Sequence, residues 1–334
     1  MSDKISVYNL TISARATLDL HSLNNEGSEG NQIQTRMVNI VAQDGRLHNV
    51  NAISGDMWKH IQAEHLHRLI SERGGVPLCK GCQTFNANRI NADPDFIEYV
   101  KRDKVSDVEK LNRLLQMCGM DDIEGILVTE GKNSLPRKSL VEFGWVVGVP
   151  EVTTTDSYFH VKYARERGQG KRQEDAAATD KEGSNLGQAI FHRPASSGVY
   201  AVIVAVEAAR IGFNDINQTY AIEEGQRQTR YERLMESLLY TFLEPRGAMR
   251  STQSPHLLNF EGVIAISSGA TPAPTVSPLK DGYKTEIEAI RRNLDPIRPD
   301  VVKTAEFNSL AEFTEQMSGL IGSSSPYTLR YSHA

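Results

Sequence analysis

Two groups of side chains have the types and spacing to do chemistry. The first lies within Asn24 to Arg68. A polar, glycine-broken run, Asn-Asn-Glu-Gly-Ser-Glu-Gly-Asn-Gln-Ile-Gln-Thr-Arg, ends at Arg36, and a helical pattern opens at Ser54-Gly55 with Lys59 and His60 close behind. A helix start offers free backbone N–H groups to anions. Amide, hydroxyl and guanidinium side chains in the preceding loop add donors of the kind that hold phosphate and sugar. The stretch therefore reads as a nucleic-acid backbone site. The second group is Cys79-x2-Cys82 with Cys118. Thiolates so spaced in a turn present both sulfurs to one tetrahedral centre, typically zinc. Asp121 has the spacing of a fourth ligand, with His65 and His67 as alternatives. Reduced thiols in a small subdomain are the competing reading.

Three further clusters are basic. Arg137 and Lys138 sit with Lys132 and Ser139 between two apolar runs. Lys162, Arg165, Arg167, Lys171 and Arg172 face only Glu166 between Tyr158 and Arg172, and Arg246 and Arg250 bracket Gly247. Each has a bland alternative: a solvated charged loop for Tyr158 to Arg172, or arginines compensating a helix C-terminus at Arg246 and Arg250.

The elements that position these groups are legible in part. Leu10, Ile12, Ala14, Ala16, Leu18 and Leu20 alternate with polar residues, so a long strand with one buried face is expected, its other face open to a ligand. Met37 to Val41 and Leu47 to Val50 flank Asp44-Gly45, a hairpin signal. Met57, Ile61, Leu66 and Leu69 give Ser54 to Glu72 a helical core face, ended by Gly74-Gly75. Strand, hairpin and helix open an α+β layer of the ferredoxin-like or RRM-like kind. Residues 74–121 break this rhythm with two helical patterns, near Asp95 to Arg102 and Val105 to Met117, and read as an insertion. The sheet is expected to resume at Ile123 to Val128 and Leu140 to Gly148. Asp156 to Tyr163 and Gln188 to His192 bracket a low-hydrophobicity stretch from Ala164 to Leu186, which reads as a protruding hairpin. Val199 to Val206 is a central strand. Helices are expected over Arg230 to Phe242, Tyr283 to Arg292 and Ala305 to Leu320, with strand Gly262 to Ser267 and a proline-rich connector, Ala270 to Pro278, between them.

Bulk composition sets the class. The chain has 334 residues, 39% of them hydrophobic and 24% charged, enough for a substantial core. No apolar run is long enough for a transmembrane helix, and MSDKISVYNL lacks the apolar segment of a signal peptide. Three cysteines suggest no disulfide framework. A cytoplasmic chain with no membrane partner is expected. The net charge of -5 argues against an indiscriminate polyanion binder. Acidic runs at Asp93 to Glu109 and Glu174 to Glu182 leave the basic clusters as separate faces, which suits a defined nucleic-acid track.

Several segments, in this order, resemble one family. They are Leu-Asn-Asn-Glu-Gly-Ser-Glu-Gly-Asn, Thr35-Arg36, Val50-Asn-Ala-Ile-Ser-Gly55, Lys59-His60, Phe191-His192, Gly198-Val-Tyr200, Arg210-Ile-Gly212, Pro245-Arg-Gly-Ala-Met-Arg-Ser, Pro255-His256, Pro272-Ala-Pro274 and Ser277-Pro-Leu279. Together they resemble the DevR-type CRISPR-associated proteins of the RAMP superfamily, the repeated backbone subunit of type I Cascade complexes. The resemblance implies an RRM-like palm (residues 1–73 and 122–334), an inserted finger subdomain (74–121) and a thumb-like β-hairpin (164–186). It implies a non-catalytic subunit that polymerises along a guide RNA (crRNA) and presents it for pairing with target DNA. The implied partners are further copies of the chain, a capping RAMP subunit and a large subunit. A palm groove at Asn24, Asn31, Thr35, Arg36, Ser54 and Lys59 follows from the same resemblance, with Gln32 and His60 beside it. No cofactor is implied beyond the structural zinc that the cysteines suggest.

The rival reading is a metal-dependent endoribonuclease. RAMP relatives in type III complexes cut RNA with an aspartate in the loop after the first strand. Here that loop holds Glu26 and Glu29 but no aspartate until Asp44, which the Asp-Gly turn explains. Metalloprotease, Walker A and nucleophile-elbow patterns do not occur. No catalysis is expected.

Overall fold

The computed structural model describes residues 4–30, 32–163, 188–248 and 253–331. Asn31, Arg165, Arg167, Arg250 and the thumb-like segment 164–186 lie outside these residues. The fold is α+β. A seven-strand antiparallel path forms its centre. In chain order its strands are β1 (Asn9–His21), β4 (Met37–Val41), β5 (Leu47–Ile53), β6 (Val146–Tyr163), β7 (Gln188–Val206), β8 (His256–Ser267) and β9 (Val302–Phe307). A small hairpin, β2 (Asn25–Glu29) with β3 (Gln32–Thr35), leaves the end of β1. The order across the sheet is β9-β8-β1-β7-β6-β5-β4, so the longest strands are central and the shorter ones lie at the edges.

Helices α1 (Gly55–Arg73) and α6 (Glu224–Leu243) pack together over one face, with α8 (Leu310–Ser323) beside α6. An aromatic chain joins these layers. The ring centroids of Trp58 on α1 and Phe242 on α6 are 5.4 Å apart, those of Phe242 and Phe260 on β8 4.6 Å, and those of Phe260 and Phe313 on α8 5.0 Å. These are favourable offset and edge-on distances. Ser54 caps α1 by accepting from the Met57 amide, and Gly74 ends it at a φ of 64°. Both boundaries match the sequence expectation to a residue.

The second face of the sheet departs from expectation. Thr11 and Ser13, on the polar side of β1, are buried. The proline-rich connector covers them: Thr11 Oγ1 donates to the Pro274 carbonyl at 2.9 Å, and Arg15 Nε donates to the Pro278 carbonyl at 2.8 Å. Helix α7 (Tyr283–Leu294) extends this cover through Tyr283 and Ile287, packed on Val263. Alternation in the sequence marks a face as polar, but a connector hundreds of residues later can still bury it.

Two other readings change. Residues 119–124 form a short helix, α5 (Gly119–Glu124), and Ile126–Val128 pairs with Leu135–Arg137 in a separate two-stranded sheet. The segment read as one helix from Ala305 to Leu320 divides into β9 and α8, where Ser309 caps the helix. The insertion contains α2 (Lys80–Gln83), α3 (Pro94–Val100) and α4 (Asp107–Met117), and its buried side chains join the same core as the sheet. No helix among the described residues is long and apolar enough to cross a membrane.

Candidate nucleic-acid interface

Four polar segments far apart in sequence meet at one end of the sheet. They are the end of β1, the β2–β3 hairpin, the start of α1 and the loop after α6. The Asn24 side-chain oxygen accepts from the Ser54 amide at 2.9 Å. Thr35 Oγ1 donates to the Asn24 carbonyl at 3.0 Å and accepts from Asn51 Nδ2 at 3.2 Å. The Tyr200 hydroxyl donates to Asn51 Oδ1 at 2.9 Å. From the other side, the Ala248 amide donates to the Leu23 carbonyl at 3.1 Å, and Gly247 lies so close that a Cβ there would meet Leu23 Cα at 2.6 Å. The backbone pairing of Gln32 with His192 adds the projecting arm of β7.

This geometry divides the sequence-derived residues. Asn24 is buried, and with Thr35 and Ser54 it spends its side chain holding the loop to the helix start. These three are scaffold. Gly55 belongs with them, because a Cβ there would meet the Phe143 carbonyl oxygen at 2.3 Å. Gly55→Ala should therefore cost about 1–3 kcal/mol, since backbone cannot yield as a side-chain tip can. A urea midpoint within error of the parent would refute that close approach.

Gln32 and His60 are exposed. The Arg36 guanidinium lies 5.0 Å over the Trp145 ring, and Trp145 is itself 45% exposed. Trp145 was not singled out in the sequence. Its place just ahead of Val146, which pairs with Ile53 before the helix start, brings it to the site. An isolated Trp after a glycine reads as core until its neighbours are known. An arginine on an open indole makes a flat, cationic platform of the kind on which bases stack.

Lys59 is more enclosed than its position on the helix suggests. Its Nζ donates to the Glu124 carbonyl at 2.9 Å. Burial pushes its pKa down and the nearby Arg89 adds to that, while Glu124 opposes both. With His60, Phe85 and Arg89 it lines an open cleft between α1 and the insertion. Lys138 is exposed but lies 3.2 Å from Glu142, and Arg246 pairs with Glu244. The backbone of Lys162 continues β6, whose pairing with β7 runs to Tyr163 opposite Gln188, so the arms of the expected hairpin are present. Tyr158 and Phe159 project from these arms into solvent.

Arg137 requires a correction. It is buried and cannot reach a nucleic acid. Its Nη2 donates to Asp122 Oδ1 at 2.7 Å and its Nη1 to Asp215 Oδ2 at 2.9 Å. A basic cluster in sequence is split here by the short β-ladder, which turns Arg137 inward and Lys138 outward. Asp44 holds the Asp-Gly turn. It accepts from the Arg46 amide at 2.9 Å and faces His48 Nε2 at 3.0 Å, and these contacts, in that order, lower its pKa.

The cysteines converge. Cys79, Cys82, Cys118 and Asp121 are all buried, and one ligand atom from each lies within 4.8 Å of the others. His65 and His67 are elsewhere: His65 Nε2 bonds the Glu244 carbonyl at 3.0 Å, and His67 packs on Phe85.

A family model described as CRISPR-associated negative auto-regulator DevR/Csa2 matches residues 12–288. The chain belongs to the DevR/Csa2 family. No curated protein matches the sequence. Among solved structures, this DevR/Csa2 chain is similar to a chain of a CRISPR RNA-guided surveillance complex, pre-nicking, with a TM-score of 0.49, 11% identity, and coverage of 94% of this chain and 99% of that one. It is similar to a chain of another CRISPR RNA-guided surveillance complex at a TM-score of 0.49 and 13% identity, covering 94% and 98% respectively. Csc2 of Thermofilum pendens matches at a TM-score of 0.36 and 12% identity, covering 95% and 85%.

Proposed function

We propose that this DevR/Csa2 chain is a non-catalytic guide-RNA-binding backbone subunit of a type I CRISPR interference (Cascade) complex. It polymerises along the crRNA in the cytoplasm and presents the guide bases for pairing with target DNA. One observation carries the reading beyond family membership: segments around Leu23, Gln32, Ser54 and Gly247 are drawn to one edge, beside the half-buried Arg36 and the exposed Trp145 ring it covers. Such an edge suits contacts to phosphate, 2′-OH and unstacked bases rather than base-specific readout.

The strand path supports an RRM-like palm. Taking β1, β6, β7 and β8 as its four strands, with α1 after β1 and α6 after β7, the order across the sheet is fourth, first, third, second, as in the ferredoxin-like arrangement. The connector on the second face leaves the strand ends as the binding track. The arms of β6 and β7, with Tyr158 and Phe159 outward, suit a thumb that reaches a neighbour's RNA. Further copies, a capping RAMP subunit and a large subunit complete the assembly. Sequence specificity then lies in the guide. The engagement of Asp44 in its turn supports a scaffold rather than a nuclease.

The test is binding of single-stranded RNA of varied sequence, followed by fluorescence anisotropy across a salt series. Affinity should depend steeply on salt and little on sequence. Arg36→Ala and Trp145→Ala should each weaken binding about 10-fold, in line with the loss of one stacked or phosphate contact. Unchanged affinity in both variants would remove the edge from consideration. RNA cleavage that EDTA and Asp44→Ala both abolish would favour the nuclease instead.

A further inference from the structure

The insertion places three thiols and one carboxylate around a common point. Two short turns build it, and they share a design. Cys79 caps α2 and its Sγ accepts from the Cys82 amide at 3.3 Å; Cys118 caps α5 and its Sγ accepts from the Asp121 amide at 3.4 Å. Each turn therefore offers a ligand at its cap and another three residues on. The second turn is tied to the chain just before the first, where the Gly119 amide donates to the Pro77 carbonyl at 2.8 Å, and close packing fixes both. A Cβ on Gly81 would meet the Arg89 carbonyl oxygen at 2.0 Å, and one on Gly119 would meet Val76 Cγ1 at 2.2 Å.

We propose that Cys79, Cys82, Cys118 and Asp121 bind a single zinc ion that fastens the two turns of the insertion. The mutual approach within 4.8 Å suits one ion. Tetrahedral zinc with sulfur ligands at about 2.3 Å sets neighbouring sulfurs roughly 3.8 Å apart. A multi-iron cluster would spread the sulfurs around a larger cage.

Buried thiols alone are common, because free cysteine packs as a small apolar residue. The carboxylate decides between that reading and a metal. Asp121 is fully buried, and its Oδ2 lies 3.3 Å from Cys79 Sγ and 3.5 Å from Cys82 Sγ. Its Oδ1 has no hydrogen-bond partner. An apolar cluster gains nothing from a carboxylate aimed into it, and two weak thiol donors with one guanidinium 3.8 Å away compensate a buried charge only in part. A divalent cation supplies the compensation. Arg89, with Nε 3.8 Å from Asp121 Oδ1, stands behind the carboxylate as an outer partner of the kind that orients metal ligands.

The inference is independent of RNA binding, and its test has its own readouts. Full-length protein purified without chelators should contain close to one zinc per chain by plasma mass spectrometry. Cys82→Ser and Cys118→Ser should lose it. Should these variants fail to fold, Asp121→Cys keeps the proposal open to refutation. It should retain the metal, and on replacement by cobalt(II) its absorption should change from that of a three-thiolate to that of a four-thiolate tetrahedral site. Folded wild-type protein with only traces of zinc, and no cobalt–thiolate absorption after incubation with cobalt(II), would overturn the assignment. So would a cobalt spectrum unchanged by Asp121→Cys.

Discussion

Asp122→Ala should be among the most damaging single substitutions in the chain, lowering stability by about 3–5 kcal/mol. Asp122 is buried, and both its oxygens are in use. Oδ1 accepts from Arg137 Nη2 at 2.7 Å; Oδ2 accepts from Arg230 Nη1 at 2.7 Å and from the Gly212 amide at 2.9 Å. Arg137 and Arg230 are themselves fully buried. Removing the carboxylate would leave two guanidinium groups in the interior with their central counter-charge gone. Arg137 keeps Asp215 and the carbonyls of Phe213 and Arg210, but Arg230 keeps no other acidic partner among the described residues. Urea denaturation of wild type and variant would measure the difference. A loss under about 1 kcal/mol, the range of an exposed pair, would show that the network is not the internal support described here.

Glu124 predicts a pH dependence of comparable size. Neither of its carboxylate oxygens has a hydrogen-bond partner, and burial pushes the carboxyl up to about 7 from a usual 4.5. Lys59 and then Arg89 pull the other way without cancelling the burial. Between those two values the folded chain holds a proton that the unfolded chain has released. Stability should therefore fall as pH rises through this window, by about 3 kcal/mol in all, with the loss complete above the upper value. Glu124→Gln should remove that slope, and the variant should be more stable than wild type at pH 8. Denaturation midpoints from pH 5 to 8 would show it. Parallel pH profiles for the two proteins would mean that Glu124 ionises freely in the native state.

The resemblance and the interface were legible to different degrees for a physical reason. Asn24, Ser54, Gly55, Thr35 and Gly212 lie in the segments that carried the family resemblance, and each is fixed by a hydrogen bond or a close approach that few other residues could satisfy. Gly212 shows this well: it has a φ of 71°, and a Cβ on it would meet Ile222 Cγ1 at 2.3 Å. Such constraints leave distinctive local sequence, so the motifs mark scaffold more than contact. The platform of Arg36 and Trp145 is set by the pairing of strands far apart in the chain, which leaves no spacing to read. The proposed metal ligands fall between these cases. Cys79-x2-Cys82 is local and was legible, but only the packing of α5 against α2 selects Asp121 over His65 or His67.

The same limit explains the misread elements. Periodicity found α1 and both of its ends, because cap, core stripe and terminal glycine all agree. It merged β9 with α8, because the break at Asn308-Ser309 is only two residues long. It also treated β1 as open on one side, because alternation reports polarity and says nothing of what a distant connector later lays over it.

The two central strands that anchor the hairpin are also the ones that leave the body. β7 spans 19 residues, from Gln188 outside the layer to Val206 beside Leu10 at the layer's opposite end. At about 3.3 Å per residue that is roughly 60 Å of continuous strand. Val202, Val204 and Val206 are buried under the helices while Tyr158 and Phe159, on the partner arm, stand in solvent. The arm and the core thus share one strand, which bends at the bulge around Gly198, where φ is 150°. In the assembly proposed above, the angle at which the arm leaves the body would be set at that bulge, between a packed interior and an open arm.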